Sequence, residues 1–140
     1  MKKKTYELKP GNCYPFGCHY NGNGANFSIF SRYATQVELL LFETAEDKEP
    51  FQIIPLQVDI NRTFYYWHVY VVGLPVGYWY NWRIDGPNLT RENGFSFDRE
   101  KHLVDPWARA VSDKNWSRKL ACKPGDNGHA AMRCCVVDNN

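Results

Sequence analysis

Residues 63–72 carry the sharpest pattern in the chain, with Trp67, Val69 and Val71 alternating against Tyr66, His68 and Tyr70. A period of two places the two sets on opposite faces of an extended strand, so the first set is expected in a core and the second partly exposed. Residues 74–77, Leu-Pro-Val-Gly, set Pro at the second and Gly at the fourth position of a type I turn. That turn is expected to close a hairpin with residues 78–84. There Tyr80, Trp82 and Ile84 alternate with Trp79, Asn81 and Arg83, assigning the first three to the core and the second three to the surface.

The same reading extends toward the N-terminus. Two Asn-Gly pairs in residues 20–24 supply the positive φ that a tight turn demands, and a strand through Phe27 to Phe30 follows. Residues 37–42, Val-Glu-Leu-Leu-Leu-Phe, form a short apolar run suited to a strand near the middle of a sheet and too short to favour a buried helix. The acidic residues 43–50 read as a solvated hairpin loop, and residues 51–56 as an edge strand interrupted by Pro55. After Pro87 the periodicity fades. Phe95, Phe97, Leu103, Val104 and Trp107 are scattered among charges until residues 134–137 offer one more short strand. The expected organisation is a sandwich over residues 1–110 and a loop-rich tail over 111–140.

Composition strengthens the all-β reading. Aromatic residues make up 16% of the 140 positions, with ten Gly and eight Pro, a mixture suited to pleated, half-buried strands and frequent turns. A hydrophobic fraction of 44% with 23% charge disfavours disorder, and the length suits one domain. A net charge of +2, with its nearest basic cluster at Lys2, Lys3 and Lys4, leaves no footprint for nucleic acid. No apolar run follows those lysines as a secretory signal requires, and no stretch is long enough to span a bilayer. Five cysteines without C-x-x-C spacing fit reduced thiols, so the cytoplasm is the expected compartment. The N-x-[ST] matches at Asn26, Asn61, Asn88 and Asn115 then carry no weight.

Candidate chemistry is sparse. His19, His68, His102 and His129 lack the spacing of metal ligands on one element, and Cys134-Cys135 points two thiols to opposite faces of a strand. Gly22-Asn23-Gly24 lacks the following helix and Lys-Ser/Thr of a phosphate loop. Asp85 and Asp105 stand beside Pro or Gly-Pro turns, where Asp caps local N–H groups, so they are expected to be structural. The strongest surface candidate is Trp79 with Asn81 and Arg83: a flat ring for the apolar side of a sugar, flanked by polar groups for its hydroxyls. The competing reading packs Trp79 against a neighbouring domain or against residues 105–110.

Taken in order, several segments resemble the N-terminal domain of bacterial glycogen-debranching enzymes and isoamylases, a family-48 starch-binding module. They are Tyr14-Pro15-Phe16-Gly17, Gly24-Ala25-Asn26-Phe27-Ser28-Ile29-Phe30-Ser31 with Ala34-Thr35, Val37-Glu38-Leu39-Leu40-Leu41-Phe42, Trp67-His68, Tyr80-Asn81-Trp82-Arg83-Ile84-Asp85-Gly86-Pro87, Gly94-Phe95-Ser96-Phe97-Asp98 and His102-Leu103-Val104-Asp105-Pro106-Trp107-Ala108-Arg109-Ala110. The resemblance implies an immunoglobulin-like (early-set) antiparallel β-sandwich and no cofactor. It also implies a parent enzyme hydrolysing α-1,6 branch linkages in glycogen by a retaining mechanism, whose carboxylate pair, about 5–5.5 Å apart, lies downstream on a (β/α)8 barrel. No catalytic residue is assigned to this chain.

Glycogen-binding relatives such as the β subunit of AMP-activated kinase use two tryptophans and a lysine. Here Asn81 stands at the lysine position, Asn88 at one tryptophan position, and residues 41–48 contain no Trp. The resemblance therefore implies a domain that packs on the barrel and shapes its substrate groove, with Phe97, Leu103, Val104 and Trp107 on the docking surface. An independent module binding glycogen or malto-oligosaccharide through Trp79, Asn81 and Arg83 is the alternative, and a small self-contained hydrolase the third possibility.

Overall fold

The computed structural model describes residues 5–86, 103, 105–108, 111–112 and 133–138. Within them the chain builds two antiparallel sheets. The first has the order β1 (Leu8–Lys9), β7 (Tyr66–Val72), β3 (Gly24–Phe30), β2 (Gly17–Tyr20), with β6 (Arg62–Thr63) also paired to β7. The second runs β5 (Gln52–Leu56), β4 (Gln36–Phe42), β8 (Trp79–Asp85), β10 (Arg133–Cys135), β9 (Val111–Ser112). A single helical turn, α1 (Val58–Asn61), precedes β6.

Alternation decides which side chains meet between the sheets. Ala25, Phe27 and Ile29 of β3 and Trp67, Val69 and Val71 of β7 face Val37, Leu39 and Leu41 of β4 and Tyr80, Trp82 and Ile84 of β8 in one buried cluster. Each large side chain removed from water here contributes roughly 1.5–3 kcal/mol. Edge-to-face contact of Phe27 with Tyr80, centroids 4.8 Å apart, ties the sheets together.

The turn at residues 21–24 forms as the Asn-Gly pairs predict. Gly22 takes φ 92°, Asn21 N–H donates to the Gly24 carbonyl, and Asn23 N–H donates to the Asn21 side chain. Pro55 also lies where expected, in the outermost strand of its sheet, opposite Glu38. It does not interrupt that strand, because an edge residue can lack an N–H without leaving a partner unpaired.

Four further expectations are corrected. Residues 63–72 are not one strand: β6 and β7 form a tight hairpin around Phe64 and Tyr65, with Phe64 at φ 58°. Residues 74–77 do not close a hairpin, since β7 and β8 lie in different sheets. Leu74 is fully buried in the core, so the Pro-Gly turn is a corner carrying the chain from one layer to the other. The sandwich does not stop at residue 110, because β9 and β10 continue the second sheet and place Cys134 and Val136 in the core. An open β8 edge is satisfied this way, whatever the weak local pattern of those residues.

The fourth concerns His68 on the outward face of the first sheet: Tyr66 and Tyr70 are half-buried, in keeping with a partly exposed face, whereas His68 is covered. His68 is buried; its Nδ1–H donates to the Pro10 carbonyl at 2.7 Å, and its Nε2 accepts from the Thr63 hydroxyl at 2.8 Å. Asn26 exchanges two bonds with the Asn12 backbone, and Ser28 donates to the Cys13 carbonyl. Residues 10–13 thus lie across this face, their backbone groups satisfied by side chains that β3 and β7 turn away from the core.

Candidate functional site

Trp79, Asn81 and Arg83 all project from β8 away from the core, as their alternation predicts. They do not form an open platform. Asn81 is 0% exposed, which corrects its assignment to the surface, while Trp79 and Arg83 are half-buried. Leu40 and Phe42 on the adjoining strand are fully buried too, although neither belongs to the inter-sheet core, so this outward face is covered. Arg133 is part of the cover. Its guanidinium sits 3.9 Å above the Phe42 ring and donates to the Asp47 carbonyl, joining β10 to the acidic hairpin loop. Arg83 is held by Glu38 at 3.0 Å.

A second group of sequence candidates lies on the other side. Phe97 and Val104 fall outside the described residues, as does Asn88. Leu103 exchanges two backbone bonds with Trp82, extending the second sheet beside β8 just where β10 ends, and is 39% exposed. Trp107 is 58% exposed and packs on Phe16, centroids 5.5 Å apart. Leu103 and residues 105–108 therefore lead from β8 in one sheet to β2 at the edge of the other and close that side of the sandwich. Gly17, at φ 82°, makes the crossing possible: a Cβ there would lie 2.9 Å from both Cβ and the carbonyl oxygen of Trp107.

Asp105 anchors this crossing. Its carboxylate is buried, accepts from the Tyr80 hydroxyl at 2.7 Å, and caps the Trp107 N–H at 2.9 Å. Burial pushes its pKa above the usual carboxylate range, and the hydrogen bonds from Tyr80 and the Trp107 amide offset that rise only in part. Cys134 lies beneath it, accepting the Asp105 N–H on its sulfur, and burial pushes that thiol up to about 12. Cys18 is raised by the same cause, with Asp105 adding to it. These thiols stay protonated near neutrality, which makes them packing groups and poor nucleophiles. Asp85 caps the N–H of Gly86. Both aspartates therefore do the local structural work expected of them. The Tyr80–Asp105 bond has no signature in sequence, because its partners are 25 residues apart and only the crossing segment brings them together.

The comparisons agree with this architecture. A family model described as carbohydrate-binding module 48, the isoamylase N-terminal domain, matches residues 15–108. The glycogen debranching enzyme of Serratia proteamaculans is 40% identical over 138 residues, and the match takes in 94% of this chain but 20% of that enzyme. The chain therefore spans about a fifth of that relative's length. Among solved structures, the pullulanase of Bacillus acidopullulyticus superposes with a TM-score of 0.61 at 22% identity, over 89% of this chain and 12% of that one. A product complex of the multi-modular glycogen-degrading pneumococcal virulence factor SpuA gives 0.62 at 15% identity, over 89% and 12%. The two structures show the same fold. With the family model spanning both sheets from residue 15 to the crossing segment, this chain belongs to the carbohydrate-binding module 48 family, the non-catalytic isoamylase N-terminal domain.

Proposed function

We propose that this chain works as the N-terminal domain of an isoamylase-type glycogen-debranching enzyme, packing on the catalytic barrel that hydrolyses α-1,6 branch linkages and helping to shape its substrate groove. The observation that carries the reading is the match of residues 15–108 to the isoamylase N-terminal domain, together with a relative named as a glycogen debranching enzyme of which this chain covers only a fifth. The cytoplasm is the compartment that goes with it. The described cysteines are free thiols, in keeping with a reducing environment, and none of the described helices is long and apolar enough to cross a membrane.

The test is a chimera in which this chain replaces the matched N-terminal fifth of the Serratia enzyme, compared with the same enzyme lacking that fifth. The chimera is expected to debranch glycogen and to melt above the truncated form, because docking stabilises whatever it docks on. Equal melting temperature and equal activity would sink the proposal.

A second reading, an independent module for glycogen or malto-oligosaccharide centred on Trp79, Asn81 and Arg83, is favoured by the carbohydrate-binding description of the family. Against it stand the burial of Asn81 and the engagement of Arg83 by Glu38. Calorimetric titration of the chain with each glucan decides between them. Saturable heat that disappears in Trp79→Ala supports the module, whereas no heat from folded protein leaves packing as the role.

A further inference from the structure

One end of the first sheet carries a continuous series of ring contacts. Trp107 packs on Phe16, Phe16 stacks on Tyr66 at 5.2 Å, Tyr66 meets Phe30 at 5.3 Å, Phe30 meets Tyr65, and Tyr65 meets Phe64. Several of these rings face solvent: Phe64 is 83% exposed and Phe30 53%, and Tyr14, which flanks Phe16, is 72% exposed. Scattered apolar residues on a surface need no explanation, but a linked run of large rings marks a contact site.

Phe64 sharpens the case. It occupies the first loop position of the two-residue β6–β7 hairpin with φ 58°, where Gly or Asn fits without strain and a bulky side chain does not. Arg62 braces the turn by donating from Nε to the Phe64 carbonyl. The fold thus holds an unfavourable backbone conformation in order to present an exposed phenyl ring.

We propose that this aromatic end is the face on which the domain docks against the catalytic part of its own enzyme, an inference that rests on the parent assigned above. The chemistry favours a protein partner over a glucan. Apart from Phe16 and Tyr66, which stack face to face at 13°, the rings are inclined to one another, 79° between Tyr14 and Phe16, 40° between Phe16 and Trp107, and 62° between Phe30 and Tyr66, so they offer no single plane for a row of sugar rings. They offer instead an uneven surface into which other side chains can interlock. Arg32 and Arg62 lie over the Tyr65 ring, and aromatic residues with arginine are what the cores of protein interfaces are enriched in. In the Serratia relative, four-fifths of the enzyme lies outside the matched segment, so a partner is present in the same chain at high effective concentration.

The experiment places Phe64→Asn and Tyr14→Ser, separately and together, in the chimera and in the isolated chain. The isolated chain is expected to melt at the same temperature or higher. The chimera carrying both substitutions is expected to fall most of the way to the melting temperature of the enzyme lacking the domain. If it melts like the unsubstituted chimera, the docking face is elsewhere and this inference fails, while the domain's role stands as long as that chimera still exceeds the truncated enzyme. If the unsubstituted chimera gains nothing over the truncated enzyme, the parent reading fails and takes the inference with it. Loss of malto-oligosaccharide binding in the substituted chain, with the chimera's melting unaffected, would reassign the rings to a glucan and overturn the proposal.

Discussion

Replacing Tyr80 by Phe removes one hydroxyl from the crossing segment and leaves the ring in its place against Phe27. The hydroxyl donates to Asp105 at 2.7 Å between two residues with essentially no solvent contact. A hydrogen bond to a charged group contributes about 1.5–3 kcal/mol, and here no water can take over the vacated site on the carboxylate. In a domain of this size that loss lowers the melting temperature by roughly 5–10 °C.

The pH dependence tests the cause. Asp105 has a folded pKa above its unfolded value, so it favours the folded state under acid conditions, and that contribution is lost as pH rises through the folded pKa. Tyr80 opposes the rise by bonding to the ionised form. Its removal raises the folded pKa further, so Tyr80→Phe is expected to cost more at pH 7 than at about pH 4, because acid shifts Asp105 toward its neutral form, whose bond is weaker, about 0.5–1.5 kcal/mol. Urea unfolding of both proteins at the two pH values measures this directly. A cost below about 0.5 kcal/mol at pH 7, or one that grows on acidification, would refute the assignment of Asp105 as a buried, ionised anchor.

Gly17→Ala is expected to destabilise the chain by about 2 kcal/mol or more, because it adds a strained left-handed conformation to a steric overlap with Trp107; an unchanged urea midpoint would refute it. Phe64→Asn in the isolated chain is expected to gain on the order of 0.5–1 kcal/mol by relieving its positive φ, less whatever its ring contact with Tyr65 supplies. Cys18 and Cys134 are expected to resist iodoacetamide in the native state and to react on unfolding, as site-resolved mass spectrometry would show; native labelling of Cys134 as fast as in urea would contradict its burial.

Local alternation made much of this architecture legible in advance. Trp67, Val69 and Val71, and again Tyr80, Trp82 and Ile84, are core residues because a strand has a period of two and only one face of each can meet the opposite sheet. The Asn-Gly turn and the edge position of Pro55 follow from backbone chemistry that one residue carries by itself.

Pairing was a different matter. A Pro-Gly turn reads alike whether it closes a hairpin or turns a corner, and burial of Leu74 between the layers decided for the corner. Outward side chains also read alike whether solvent or another segment lies over them. Asn81 is buried and His68 holds Pro10 because covering segments come from positions distant in the chain. The ring series from Trp107 to Phe64 joins residues 16, 30, 64–66 and 107, which no local pattern links. Sequence by itself determined which face of the central strands packs against the opposite sheet, since that depends on a residue and its neighbours two places away. Only the tertiary structure decided what covers the other face, because that depends on which distant segments the closed chain brings into contact.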